Sequence, residues 1–235
     1  MRIVFRPFLV LLINIACQSI HMSNRFATVL SWLFHPLLFP SYGALFIIAA
    51  NPHMFGMYPL RAQMLWVIIT FIFTFVCPVV WLVMMKRLEL IRDFDMNDSK
   101  ERIIPYIAVA TFYMWMFKLF KPTTEVTPYS NQLISLMMLG ASVSIFIGFF
   151  INIFRRISIH AIGAGGFLGL TLCMLRLSDY DLKFFLLLVI LLAGLIGTAD
   201  LIRTRGRSNE VWAGYLTGFI GQFFSFTLIQ MLIGQ

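Results

Sequence analysis

The sequence predicts an all-α fold, a polytopic bundle of membrane-spanning helices. Three observations carry this expectation. The chain is 60% hydrophobic and only 12% charged, with a mean hydropathy of +0.88, where a soluble domain has about 25% charged residues. Its apolar residues fall into repeated runs of about 20, the length a helix needs to cross a bilayer. No low-complexity tract or long linker separates the runs. A soluble fold could not bury that much apolar surface, whereas in lipid a helix satisfies its own backbone groups.

Seven segments qualify, at Phe26 to Ala50, Met64 to Met85, Ile103 to Phe120, Gln132 to Phe154, His160 to Leu177, Leu182 to Ile202 and Val211 to Ile233. Residues 22–235 are therefore expected to form one transmembrane domain. The segment 1–21 places Arg2 and Arg6 ahead of the apolar run Phe8 to Ala16, as a signal peptide does. The box ending at Cys17 lacks the leucine-like residue of a lipoprotein cleavage site, and Met22 offers a second start, so we expect an uncleaved or additional N-terminal segment. The first span carries His35-Pro36 and Pro40-Ser41-Tyr42-Gly43, where proline removes a backbone donor and clashes with the preceding turn. A break is expected there, with His35 as a polar group satisfied at the kink. Cys17, Cys77 and Cys173 all sit in apolar runs without metal-ligand spacing and read as small packing residues.

Alternating the spans brings three polar loops to one face, at Lys86 to Arg102, Arg155 to Ile159 and Arg203 to Glu210. They hold Lys86, Arg87, Arg92, Lys100, Arg102, Arg155, Arg156, Arg203, Arg205 and Arg207, against Arg61, Lys118, Lys121, Arg176 and Lys183 on the other face. The positive-inside rule makes the rich face cytoplasmic if the charges set topology, but charges kept to bind phosphate would not obey it. The net charge of +8 suits anionic headgroups or a phosphorylated substrate. No basic, aromatic-interleaved soluble segment is present to hold nucleic acid.

Candidate chemistry gathers on the rich face, where ionisable groups at a membrane edge are costly to keep. His160 stands at the entrance of a helix in Arg155-Arg156-Ile157-Ser158-Ile159-His160, followed by Gly163, Gly165, Gly166 and Gly169. Ser158 is placed to cap that helix, whose free N–H groups favour anions. Arg203, Arg205 and Arg207 alternate ahead of Glu210, either as a topology signal or as a clamp for a multiply charged oxyanion. Glu210 offsets the dipole at the start of the last span, and Gly214 and Gly218 form a Gly-x-x-x-Gly pair. The loop from Asp93 to Arg102 contributes Lys100 and Arg102 to an anion site, or acids to a Mg²⁺-diphosphate site, or nothing beyond a solvated hairpin.

In their order these motifs resemble the type-2 phosphatidic acid phosphatase superfamily. That family carries Lys-x6-Arg-Pro, Pro-Ser-Gly-His and Ser-Arg-x5-His-x3-Asp. The second motif is similar to Ile157-Ser158-Ile159-His160, which keeps the serine and histidine. Glu210-Val211-Trp212-Ala213-Gly214-Tyr215-Leu216-Thr217-Gly218 resembles the entry to the family's final helix. Counting back from Glu210, the family arginine falls on Asp200 and its nucleophilic histidine on Gly206. Lys100, Arg102 and Pro105 are an echo of the first motif, with Arg155 or Arg156 as substitutes for its charge.

The resemblance implies a membrane lipid phosphatase acting on phosphatidate or a polyprenyl phosphate, without a metal or other cofactor. It casts His160 and Glu210 as catalytic groups, Asp200 as a second candidate to orient the histidine, and Ser158, Lys100, Arg102, Arg156, Arg203, Arg205 and Arg207 as phosphate-binding ones. Gly206 has no side chain to attack phosphorus, and cations cannot replace an attacking atom. A catalytically inactive lipid- or partner-binding relative is therefore the alternative.

The acid-rich run Asp93 to Asp98 suits an aromatic prenyltransferase, but no second acid-rich loop follows on the same face. A transporter would show an internal repeat or paired broken helices, and neither is evident. The expected place of the chain is a bacterial inner (plasma) membrane, with membrane lipid as its partner and no nucleic acid.

Overall fold

The computed structural model describes residues 28–90, 103–121, 129–178, 181–203 and 207–233, and the backbone alone at 129–131, 203 and 228–233. The expected N-terminal segment 1–21, Cys17 and the acidic run Asp93 to Asp98 lie outside these residues. Every regular element among the described residues is helical. We label the long helices α1 (Thr28–Ala50), α2 (Leu60–Arg87), α3 (Ile103–Phe120), α4 (Tyr129–Phe154), α5 (Ile159–Leu177), α6 (Lys183–Arg203) and α7 (Ser208–Ile233).

Six of these, α1 to α6, are long and apolar enough to cross a membrane. The chain thus has the make-up of an integral membrane protein. The seventh expected span is present as a helix of 26 residues, but it is not among those six. α7 packs along α5 and α4, and the face it turns to them is built of Gly214, Thr217, Gly218, Gly221, Gln222 and Ser225. Where neighbouring helices replace lipid, small and hydrogen-bonding residues take over from leucine.

α5 and α7 approach until their backbones nearly touch. A methyl group on Gly218 would collide with the Ile162 carbonyl and stand 2.6 Å from the Gly166 nitrogen, and one on Gly214 would stand 2.6 Å from the Ser158 carbonyl. Gly165 in turn faces the Tyr215 carbonyl. On the other side of α7, Ser144 of α4 donates its hydroxyl to Gly140 O at 2.8 Å and lies 3.3 Å from Gly218 O. α1 packs against α2, α4 and α5, α3 against α4 and α2, and α6 against α5. The main core joins α1, α3, α4 and α5 through Phe46, Ile47, Met116, Met138, Leu170 and Met174.

Two breaks interrupt the spans. α1 passes through a 3-10 turn at Pro36–Leu38. α2 widens into a π-helical segment at Ile72–Val76, two residues ahead of Pro78, which lacks an N–H and crowds the carbonyl of Thr74 four residues before it. The two breaks face each other, and the buried hydroxyls of Ser41 and Thr74 meet across them at 3.3 Å.

Two helix ends are locally encoded. α2 finishes with Glu89 in the left-handed region at φ 58, Leu90 N–H donating to Met85 O and Glu89 N–H to Lys86 O, a Schellman cap. Asp181, just before α6, accepts the Lys183 N–H and ammonium at 3.1 and 3.2 Å. Those bonds hold its carboxyl below the usual carboxylate range.

Candidate functional site

One end of the bundle carries the start of α1, the end of α2, the α4–α5 turn, the end of α6 and the start of α7. Ser158 caps α5 in extended conformation, and its hydroxyl accepts the Ala161 N–H at 3.0 Å. The residue is buried, and its backbone N–H donates to Glu210 O at 3.2 Å. Two segments separated by about fifty residues, each singled out in the sequence, are thereby joined directly: Ser158–His160 and Glu210–Gly214. The helix-capping role expected of Ser158 is filled.

His160 lies half-buried in the first turn of α5. Its ring meets that of His35 from α1, with centroids 6.3 Å apart and planes at 78°. On another side His35 meets Phe75 at 6.2 Å and 88°. His35 Nδ1 accepts the Leu37 N–H at 3.4 Å, closing the turn that Pro36 starts. The kink expected at His35-Pro36 is present, and it carries an imidazole to the residue that sequence reasoning ranked first.

Glu210 forms an ion pair with Arg207, three residues earlier in the chain, at 2.9 Å. An acid in the first turn suits the helix dipole, and the pair is partly exposed, so it adds little to stability. Arg207 and Arg156 are both exposed. Arg203 is the last residue of α6. Lys100, Arg102 and Arg205 lie outside the described residues, so of the expected clamp of Arg203, Arg205 and Arg207 only the Arg207 side chain is placed.

Sequence reasoning gave less weight to three groups at this end. Asp200 is 6% exposed near the end of α6, and Asn152 is 1% exposed near the end of α4. Tyr106, in the first turns of α3, is buried, and its ring lies on the far side of Gly148 from α4's own axis. Each is a polar residue close to the end of an apolar run, and that position is the signal that would have drawn attention to it. Among the described residues no group of three histidine, cysteine or acidic side chains could hold a metal ion.

Inward of the histidines, a cavity of about 50 Å³ is lined by Pro36, Tyr113, Ser144, Ile159, Gly163 and Gln222. Alongside it, an apolar groove of about 460 Å³ runs between α1, α5 and α6, past Phe34, Phe46, Ala164, Phe185 and Ala193. Phe39 borders both spaces. Phe34, the chain neighbour of His35, borders the groove, and Ala164 on its wall lies one turn of α5 from His160; neither histidine lines either space. No protein-family model, curated protein or solved structure matches the chain.

Proposed function

We propose that the chain is a membrane-embedded lipid phosphatase-like protein that hydrolyses or binds a phosphorylated headgroup of the phosphatidate or polyprenyl phosphate class. The observation that carries this reading is the junction of Ser158–His160 with Glu210–Gly214 at one end of the bundle. A phosphate monoester needs a proton-transfer group, a helix N-terminus or cations for its oxygens, and a place for its hydrocarbon. His160, the start of α5, Arg207 and Arg156 supply the first two. The groove beside Phe34 and Ala164 suits the hydrocarbon chain of an amphiphile lying in the same leaflet.

The test is release of inorganic phosphate from phosphatidate and from polyprenyl phosphate by purified protein. Release is expected, and His160→Ala is expected to lower it by about 10²- to 10⁴-fold, the usual contribution of an acid–base group. Absence of release from both lipids would remove the enzymatic reading.

A second reading has its own observation, since Gly206 stands where the resemblance expects a nucleophilic histidine. On that reading the protein binds a phosphorylated headgroup without turning it over. Lipid binding that free phosphate competes away, with no phosphate released, would favour it. Turnover dependent on His160 would count against it.

A further inference from the structure

We infer that the cavity in the middle of the bundle is a hydration site, where a few water molecules join Gln222 of α7 to Ser144 of α4 and Tyr113 of α3. The inference is independent of the phosphatase reading. It starts from Gln222, near the middle of α7, which borders the cavity and is only 2% exposed. Among the described residues its Nε2 meets no hydrogen-bond acceptor. An amide buried in that state loses its contacts with water and gains nothing in return.

The neighbouring helices are shaped to admit this side chain. A methyl group on Gly140 of α4 would collide with the Gln222 amide oxygen and stand 2.7 Å from its amide carbon. One on Gly169 of α5 would stand 3.2 Å from Gln222 Cβ. The amide thus sits in a notch between two helices, and a leucine of similar size would fill that notch without a polar group to satisfy.

Volume and lining select the ligand. The cavity holds about 50 Å³, and a water needs about 10–15 Å³ of such space with two to four polar partners. About three waters therefore fit. Gln222 donates to them. Ser144 is buried beside the cavity, and its one proton goes to Gly140 O at 2.8 Å, which leaves its lone pairs to accept. Tyr113, also buried there, has a phenol able to do either. Water alone serves a donor and an acceptor at once. An ion does not suit the site. None of the lining residues is charged, and an ion would give up its hydration without a counter-charge. Hydrocarbon is held on the other side of a wall. Phe39 and Phe167 border both the cavity and the apolar groove, with ring centroids 6.3 Å apart.

Solid-state NMR that follows magnetisation from water into the protein tests this, on the full chain in liposomes with labelled glutamine side chains and methionine methyl groups. Met137 borders the cavity, whereas Met138 and Met174 are fully buried away from it. Transfer is expected to reach the Gln222 amide and the Met137 methyl, and to leave Met138 and Met174 dark. Gln222→Leu removes the donor and Ser144→Ala the acceptor, and each is expected to lower transfer to Met137 severalfold. Should a variant fail to fold, wild type still decides. A Gln222 amide and a Met137 methyl as dark as Met138 would mean a dry cavity and overturn the proposal. Equal transfer to all three methionines would also overturn it, because water would then permeate the bundle without occupying a site. Undiminished transfer to Met137 in both folded variants would overturn the assignment of Gln222 and Ser144 as the groups that hold the water.

Discussion

At the scale of single residues, the contact between α5 and α7 is the most sensitive place in the molecule, because backbone meets backbone there. A methyl group on Gly218 has only the Ile162 carbonyl and the Gly166 nitrogen to push against, and neither can rotate away. Gly218→Ala is expected to cost about 1–3 kcal/mol, as overpacking does, read as a lower unfolding temperature in detergent. Gly194 of α6 is the contrast. Nothing lies within 4 Å of a methyl group built there, so Gly194→Ala is expected to raise stability by about 0.5–1 kcal/mol through helix propensity alone. If both substitutions moved stability in the same direction, close approach would not be what Gly218 is for. The spacing of Gly214 and Gly218 was legible as a helix-contact pair. Its partner was not, since nothing in a Gly-x-x-x-Gly pair points to a segment about fifty residues earlier. His35 shows the same limit. Proline after histidine says that the helix breaks, and only the packing of α1 against α5 says which ring the histidine meets. Ser158 and Glu210 were readable in full as end groups of helices, because capping is local.

At the scale of elements, the breaks in α1 and α2 belong together. Each is caused by proline, and each leaves backbone groups without their regular helical partners inside an apolar span. Irregular backbone is tolerated there only when protein covers it, and here each break covers the other. The Ser41–Thr74 contact at 3.3 Å is the side-chain link between them. Removing it from either side is expected to have the same consequence as removing it from both. A double-mutant cycle of Ser41→Ala and Thr74→Val is therefore expected to give a coupling of about 0.5–1 kcal/mol, in the range for hydroxyl bonds between membrane helices. Additive losses in the unfolding free energies would mean that the two hydroxyls do not interact. The break in α1 was expected from His35-Pro36 and Pro40. The π segment was not, although Pro78 stands within the run read as Met64 to Met85. A hydropathy run records what faces lipid and is blind to how the backbone accommodates a proline. For the same reason α2 begins at Leu60, before the apolar run does, since Arg61 and Gln63 fit the interface without ending the helix.

At the scale of the whole molecule, the ends of the bundle differ in charge. With α1 to α7 antiparallel in sequence, Lys86, Arg87, Arg155, Arg156 and Arg207 share the end that holds the histidine pair, while Arg61, Lys118, Arg176 and Lys183 lie at the opposite end. Placing lysines and arginines on the cytoplasmic side avoids moving them across the membrane during insertion. If the charges set topology, the histidine pair faces the cytoplasmic leaflet. Asn209, in the exposed first turn of α7, and Met57, 81% exposed in the turn between α1 and α2, report the two ends. With Cys17, Cys77 and Cys173 replaced by alanine, Met57→Cys is expected to react with a membrane-impermeant maleimide in intact cells. Asn209→Cys is expected to react only after permeabilisation. Reversed labelling would mean that the insertion rule is overridden, and charges at the histidine end would then need another reason to be there. On the proposed reading, binding an anion is that reason. On the proposed reading, the same experiment also decides which leaflet delivers the phosphorylated lipid, because His160, Arg156 and Arg207 share one end of the bundle.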